Sequence, residues 1–159
     1  MIKVGDRLPS VTFTVMTADG PKPVTTDEVF KGKKVVLFGL PGAFTPTCHR
    51  NHLPGYRDNA ATLKAKGVDT IAVTAVNDVF VMAAWRDATN SGDSVEFLAD
   101  GSAAFAKAIG LSLDLTERGM GVRTKRFSAL VEDGVVKTLN IEEGPGTPES
   151  GVEKMLTQV

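Results

Sequence analysis

Apolar residues are grouped along the chain in patterns that predict several β-strands. Residues 35–40 and 68–76 are largely apolar runs rich in β-branched side chains, which is typical of strands buried on both faces of a sheet. Further strand patterns cover residues 12–16 and 95–99 and, as a hairpin around Asp133-Gly134, residues 122–131 and 135–141.

Helix signals lie between these strands. Thr25 and Glu28 have capping-box spacing and predict a short helix that ends near Gly32. The other predicted helices cover residues 45–66, with an interruption at Pro54-Gly55, residues 77–85 after an Asn77-Asp78 cap, residues 102–109, and residues 148–159. Strands that alternate with helices predict an α/β fold with a central mixed, mostly parallel sheet flanked by helices. Since no repeat or linker is present, we expect one domain over residues 1–159.

Composition narrows the classes of function. The chain has 18 basic and 19 acidic side chains and a formal net charge of −1, which gives no electrostatic reason to expect nucleic acid or an anionic membrane as a partner. No apolar run approaches the ~20 residues that span a bilayer. The N-terminus lacks a basic-then-apolar signal pattern, so we expect a cytoplasmic protein. The single cysteine, Cys48, excludes an intramolecular disulfide, and any redox cycle at this residue needs a thiol from another molecule.

Cys48 follows a predicted buried strand and lies at the start of a predicted helix. A lone cysteine is more often a small buried core residue than a reactive group. Here, however, Thr45 is a favoured N-cap and Pro46 a favoured first helical residue, which puts Cys48 at the third helical position. Backbone N–H groups in the first turn have no intrahelical acceptor and attract negative charge, so we expect Cys48 to be a thiolate nucleophile.

The helix start alone does not hold such a charge. Keeping a cysteine mainly ionised at neutral pH takes roughly 3 kcal/mol, whereas a helix terminus contributes about 0.3–1 kcal/mol, and up to ~2 when partly buried. A nearby cation is therefore expected. Strict alternation along residues 122–131 puts Arg126 on one face with apolar neighbours, and Arg123 and Lys125 on the other. On this pattern Arg126 is either a partly buried functional charge or a solvent-directed surface side chain.

Ionisation by itself does not make a cysteine a fast catalyst, so donors that orient a substrate are also expected. Thr45 Oγ, the first-turn N–H groups and Arg126 are candidates, although Thr45 could simply cap the helix. His52 lies one turn after Cys48 and could line the site, or less plausibly act as a base, whereas His49 is expected to face solvent. One cysteine and two histidines, without a carboxylate at ligand spacing, argue against a metal site.

The segment around the cysteine resembles the active-site signature of the peroxiredoxins, specifically the peroxiredoxin 5 type. The core pattern Pro-x-x-x-Thr-x-x-Cys is filled by Pro41, Thr45 and Cys48, and it is followed by His52-Leu53-Pro54-Gly55. Further similarity at residues 76–85, 97–101 and 125–128 extends the resemblance from Gly5 to the closing helix.

The resemblance implies a thioredoxin-like fold and thiol-dependent reduction of hydrogen peroxide and alkyl hydroperoxides, without a cofactor. Cys48 would be the peroxidatic cysteine that becomes a sulfenic acid, and over-oxidation to sulfinic acid would be its failure route. Thr45 and Arg126 would complete the catalytic site. Pro41 would shield the sulfur, Gly42 would let backbone approach it, and Thr47 and His52 would line the substrate site.

Some relatives carry a second cysteine near the closing helix, where this chain has none. The resemblance therefore implies a one-cysteine mode in which glutathione and glutaredoxin, or thioredoxin, reduce the sulfenate. It also implies a homodimer, in which Phe44, Phe80 and Trp85 are either contacts or core residues.

The rival interpretation is a non-catalytic thioredoxin-like dimer, a holdase or redox-relay protein, which needs neither Thr45 nor Arg126 near the sulfur. A thiol transferase is disfavoured because Cys48 is followed by His49-Arg50-Asn51 rather than by a Cys-x-x-Cys or Cys-x-x-Ser pattern.

Overall fold

The computed structural model describes all residues, 1–159, and places seven of nine strands in one sheet. The strands are β1 Thr12–Thr17, β2 Gly20–Thr25, β3 Lys34–Gly39, β4 Thr70–Ala75, β5 Glu96–Ala99, β6 Ser112–Leu115, β7 Gly121–Thr124, β8 Phe127–Glu132 and β9 Val135–Ile141. The strand order in the large sheet is β2-β1-β5-β4-β3-β8-β9, and β6 and β7 form a separate two-stranded sheet.

The helices are short and lie between the strands. They are α1 Thr26–Phe30, α2 Leu53–Asp58, α3 Ala60–Ala65, α4 Val79–Ala88, α5 Ala104–Ala108 and α6 Val152–Leu156, with a π-helical turn at Cys48–His52 and a 3₁₀ turn at Thr116–Arg118. The expected capping box of Thr25 and Glu28 opens α1, and Asp78 caps α4 by accepting a hydrogen bond from Val81 N–H. No helix combines the length and the hydropathy needed to cross a membrane.

The mixed sheet is confirmed, but the expectation that it is mostly parallel is wrong. Only β3–β4 and β4–β5 pair in parallel, whereas the other four neighbouring pairs are antiparallel. Connection length explains two of these four pairs, because parallel neighbours need a crossover and a tight turn can join only antiparallel strands. The β1–β2 and β8–β9 pairs are both such hairpins. In the second, Asp133 and Gly134 have positive φ angles of 50° and 77°, as the sequence predicts for a primed turn.

The core lies on both faces of the sheet, and β3 shows why. Val36, Phe38 and Leu40 belong to one apolar cluster, while Val35 and Leu37 belong to the other. Successive side chains of a strand point to opposite faces, so an unbroken apolar run fills both clusters. Cys48 belongs to the first cluster.

Several segments differ from the sequence-based expectation. The strand expected over residues 122–131 is interrupted at Lys125-Arg126, so that β7 pairs with β6 while β8 joins the large sheet. Strand β2 contains two prolines and was not expected, and it is tolerated because it is an edge strand. The closing helix covers only Val152–Leu156 because the preceding chain turns towards the sheet edge, where Ser150 bonds to Glu142.

Candidate active site

Cys48 lies where the chain leaves β3 and starts a helix. The helical conformation begins at Pro46, and the Thr45 carbonyl accepts a hydrogen bond from His49 N–H at 2.9 Å. Cys48 is therefore the third helical residue, as the N-cap pattern predicts. The N–H groups of Thr47 and Cys48 make no backbone hydrogen bond, so they are free to donate to an anionic or polar ligand.

The helix is widened at the cysteine rather than interrupted at Pro54-Gly55. Leu53 N–H donates to the Cys48 carbonyl, which defines the π-helical turn. Pro54 then falls in the first turn of α2, where its missing N–H is tolerated, and the break between α2 and α3 occurs instead at Asn59. The wide turn directs both Cys48 and His52 into the protein, where both side chains are buried.

The Cys48 side chain is fully buried and forms part of the apolar core, yet its sulfur has a cationic partner. Arg126 Nη2 lies 3.1 Å from Cys48 Sγ, within hydrogen-bonding distance. Cys48 is therefore packed like a core residue, as the first interpretation expects, and its sulfur also contacts a cation, as the functional interpretation expects. A buried sulfur in contact with a guanidinium is a suitable place for a thiolate, because the charge-assisted hydrogen bond offsets desolvation.

Arg126 reaches the sulfur from the break between β7 and β8. The alternation argument does not apply to it, because residues 125–126 are not in a strand. Arg123, on β7, does not contact the sulfur: its Nε donates to the Met120 carbonyl at 2.8 Å, and its Nη1 lies 3.4 Å from the Pro41 carbonyl. Of the three basic candidates, Arg126 is the one hydrogen-bonded to Cys48.

His52 holds the other side of the same guanidinium. Arg126 Nη1 lies 2.9 Å from His52 Nδ1, and a guanidinium can only donate, so Nδ1 must be the acceptor. The ring proton is then on Nε2, which donates to the Ser150 carbonyl at 3.1 Å. Burial, with a smaller contribution from the Arg126 charge, lowers the pKa of His52 to about 3. His52 is therefore neutral at physiological pH, and with both ring nitrogens engaged it is poorly placed to act as a general base.

His49 does not face solvent as expected. It is half-buried, its Nδ1 accepts a hydrogen bond from Trp85 Nε1 at 3.0 Å, and its ring stacks on Phe44 with 5.7 Å between the ring centroids. Trp85 is fully buried and belongs to the core, whereas Phe44 and Phe80 are 50% and 66% exposed. Trp85 is therefore a core residue, and two of the three aromatic candidates remain available at the surface.

The loop before the helix contains Pro41, Gly42 and Thr45. Thr45 was expected to be a possible donor to the substrate, but its Oγ donates to the Gly42 carbonyl at 2.7 Å, which uses its only proton and leaves its lone pairs for another donor. A Cβ at Gly42 would lie 2.8 Å from Arg123 Nη1 and 3.3 Å from Thr45 Cγ2. The close approach at this glycine is thus made by the Arg123 guanidinium rather than by the sulfur.

A surface cavity of about 390 Å³ opens beside the cysteine. Its wall includes Pro41, Thr47 and Arg126, and Leu113 is the single large apolar side chain that lines it. The structure therefore brings together Pro41, Thr47 and Arg126 at the cavity and Cys48 and His52 just beneath it. No group of three or more histidine, cysteine or carboxylate side chains is arranged to hold a metal ion.

Two residues close to this site carried no signal in the sequence. Glu142 is a buried carboxylate at the cavity wall, and Ser150 supplies the carbonyl that accepts from both His52 and Tyr56. Their hydrogen-bond partners lie 7 to 98 residues away along the chain. No local spacing pattern marks such contacts.

Comparison with known proteins gives consistent results. The Redoxin family model matches residues 3–156. Peroxiredoxin-2E-2, a chloroplastic protein of Oryza sativa, is 49% identical over 98% of this chain and 71% of its own length. The chain belongs to the peroxiredoxin family.

Solved peroxiredoxin structures share the whole fold. Reduced Prx3 from Vibrio vulnificus in complex with hydrogen peroxide superposes with a TM-score of 0.93 at 46% identity, over 99% of both chains. Peroxiredoxin 5 from Alvinella pompejana superposes with a TM-score of 0.85 at 32% identity, over 99% of this chain and 97% of that one. The thioredoxin-like peroxiredoxin fold is confirmed, and this peroxiredoxin is a thiol peroxidase.

Proposed function

We propose that Cys48 is the peroxidatic cysteine and that this peroxiredoxin works in a one-cysteine mode. The observation that carries the proposal is the 3.1 Å contact of Arg126 Nη2 with Cys48 Sγ at the first turn of a helix. The guanidinium and the free N–H groups of the first turn both favour negative charge on the sulfur. A non-catalytic dimer has no need of a guanidinium on its cysteine and is not favoured.

In the first half-reaction the thiolate attacks one oxygen of the peroxide. An S–O bond forms, the O–O bond breaks, and the departing oxygen leaves with both bonding electrons and takes up a proton to give water or an alcohol. Cys48 is oxidised by two electrons to the sulfenic acid. Arg126 and the first-turn N–H groups are placed to stabilise charge that develops on the departing oxygen.

Thr45 acts in this step as an acceptor. Because its proton is used on the Gly42 carbonyl, a lone pair of Oγ is free to accept the O–H of the peroxide and orient it for attack. Pro41 and Thr47 form the wall of the cavity through which the peroxide arrives. Gly42 leaves room for Arg123, which donates a hydrogen bond to the Pro41 carbonyl.

In the second half-reaction an external thiol attacks the sulfenic sulfur, releasing water and leaving a mixed disulfide, and a second thiol restores Cys48. The external thiol is required because the chain has one cysteine. The reductants proposed are glutathione with glutaredoxin, or thioredoxin. Similarity to a peroxiredoxin 5 structure supports the atypical subtype, although similar plant relatives carry peroxiredoxin-2 names. Exposed Phe44 and Phe80 support a homodimer through the active-site edge.

The experiment that tests this function measures oxidation of Cys48 directly. The reduced protein is mixed with less than one equivalent of hydrogen peroxide, quenched at intervals, and weighed intact. We expect one added oxygen, absent in Cys48→Ser, at a rate far above that of free cysteine. A rate equal to that of free cysteine contradicts the proposal. Steady-state turnover with glutathione plus glutaredoxin, compared with thioredoxin, then distinguishes the reductants.

A further inference from the structure

Glu142 is a buried carboxylate outside the residues considered so far. It is 8% exposed, and no lysine or arginine forms an ion pair with it. Its Oε2 accepts hydrogen bonds from Ser150 N–H at 2.8 Å and from Ser150 Oγ–H at 2.7 Å, and Glu149 N–H also donates to the carboxylate at 3.1 Å. A buried carboxylate without a cation is costly unless its oxygens are hydrogen-bonded, and here three donors converge on it.

Ser150, which Glu142 holds by two hydrogen bonds, is connected through His52 to the Arg126 guanidinium. Its carbonyl accepts from His52 Nε2–H, and His52 Nδ1 in turn accepts from Arg126 Nη1. The order of contacts is therefore Glu142, Ser150, His52, Arg126 and finally Cys48. Each bond in the series is between 2.7 and 3.1 Å long.

Glu142 also holds the main chain of Arg126. Its own N–H donates to the Arg126 carbonyl at 2.9 Å, one residue beyond the paired strands β8 and β9. The series of contacts consequently closes into a ring that begins and ends at Glu142. Both the backbone and the guanidinium of Arg126 are fixed by the same residue.

We propose that Glu142 is a positioning residue for peroxide reduction, which acts through Ser150 and His52 to aim the Arg126 guanidinium at the Cys48 sulfur. The inference rests on the catalytic role proposed above for Arg126. A guanidinium is a planar fork, so Nη2 points at the sulfur only while Nη1 is held by His52. The His52 ring is held in turn by the Ser150 carbonyl, whose place depends on the carboxylate.

The test is a double-mutant cycle on the rate constant for Cys48 oxidation, followed by intact mass after rapid quenching. Glu142→Ala is expected to lower this rate constant about tenfold, within the range for loss of an oriented charge-assisted contact. Glu142→Gln keeps an oxygen that accepts from Ser150 and is expected to restore the rate to within about threefold. In a His52→Leu background, Glu142→Ala is expected to have no further effect, because the series is already interrupted. Glu153→Ala, which removes an exposed carboxylate three residues after Ser150, is the matched control and is expected to match the parent.

Two results overturn the inference. One is a rate constant for Glu142→Ala equal to that of the parent. The other is a full, independent tenfold loss in the His52→Leu background, which is what general destabilisation would give. If Glu142→Ala does not fold, Glu142→Asp replaces it in the same cycle, because the shorter side chain withdraws the carboxylate from Ser150. Arg126→Ala, measured in parallel, distinguishes failure of the proposed function from failure of this inference. If Arg126→Ala leaves the rate constant unchanged, the proposed function is wrong. If Arg126→Ala slows oxidation and Glu142→Ala does not, only the role of Glu142 is wrong.

Discussion

Replacement of Arg126 by alanine is the most informative perturbation of this peroxiredoxin. It removes the 3.1 Å contact of Nη2 with Cys48 Sγ and the 2.9 Å contact of Nη1 with His52 Nδ1. A hydrogen bond to a charged group contributes about 1.5–3 kcal/mol. If that contact is realised in the transition state, its loss lowers the second-order rate constant for Cys48 oxidation by about 10- to 150-fold.

The same substitution has a separate effect on stability. His52 is buried, and without Arg126 its Nδ1 has no donor, which costs about 1–3 kcal/mol. Kinetics and stability are therefore measured on the same samples, by quenched intact mass and by urea unfolding. Arg126→Lys keeps the positive charge, but an ammonium lacks the planar fork that bonds both the sulfur and His52. Its rate constant for Cys48 oxidation is therefore expected to lie between those of the parent and of Arg126→Ala.

Two matched arginine variants control for charge and for the choice of cation. Arg118→Ala removes an exposed arginine on the 3₁₀ turn and is expected to match the parent. Arg123→Ala releases the Pro41 carbonyl without touching the sulfur. Alkylation of Cys48 by iodoacetamide at pH 7 reports on the thiolate, and it is expected to slow in Arg126→Ala but not in Arg118→Ala. The reasoning is refuted if Arg126→Ala oxidises and alkylates as the parent does, or if Arg123→Ala slows alkylation more.

Three further predictions concern pH, loop packing and assembly. Burial lowers the pKa of His52 to about 3 in the folded protein, whereas the histidine of the unfolded chain is protonated below about pH 6.5. The free energy of unfolding therefore has its full contribution from His52 above pH 6.5 and decreases as the pH falls towards 3, by roughly 2 kcal/mol at pH 5. Urea unfolding at pH 7 and pH 5 tests this, and His52→Asn should lose less on acidification. Gly42→Ala pushes aside Arg123 Nη1, the far end of a flexible side chain, and is expected to lower stability by about 1 kcal/mol, the low end of the cost of overpacking, whereas Gly144→Ala, with open space around it, serves as its control; equal unfolding midpoints would contradict the prediction. Phe80→Asp is expected to shift the proposed homodimer towards monomer in sedimentation, and an unchanged mass would exclude that face from the interface.

Local patterns identified the elements that short-range physics controls. The apolar run at residues 35–40 predicted a strand buried on both faces, and β3 fills both clusters. Capping signals predicted the starts of α1 and α4, and Asp133-Gly134 predicted the hairpin. The position of Cys48 in the first helical turn also followed from Thr45-Pro46. Each of these features depends on residues within a few positions of one another.

Pairings between distant residues were less predictable. The sheet was expected to be mostly parallel, because the alternation of strands and helices does not reveal which strands become neighbours. The strand around Arg126 was expected to be continuous, because nothing local marks the change of sheet at Lys125-Arg126. The single-domain organisation and the cytoplasmic location stay predictions.

The sequence by itself determined the α/β fold class and the place of Cys48 at a helix start, because periodicity and capping operate within one or two turns. Only the tertiary structure decided what surrounds the sulfur. Arg126 lies 78 residues from Cys48, and His52 lies 98 residues from Ser150. Such contacts depend on how separate elements meet in three dimensions, which is a property of the packed chain as a whole.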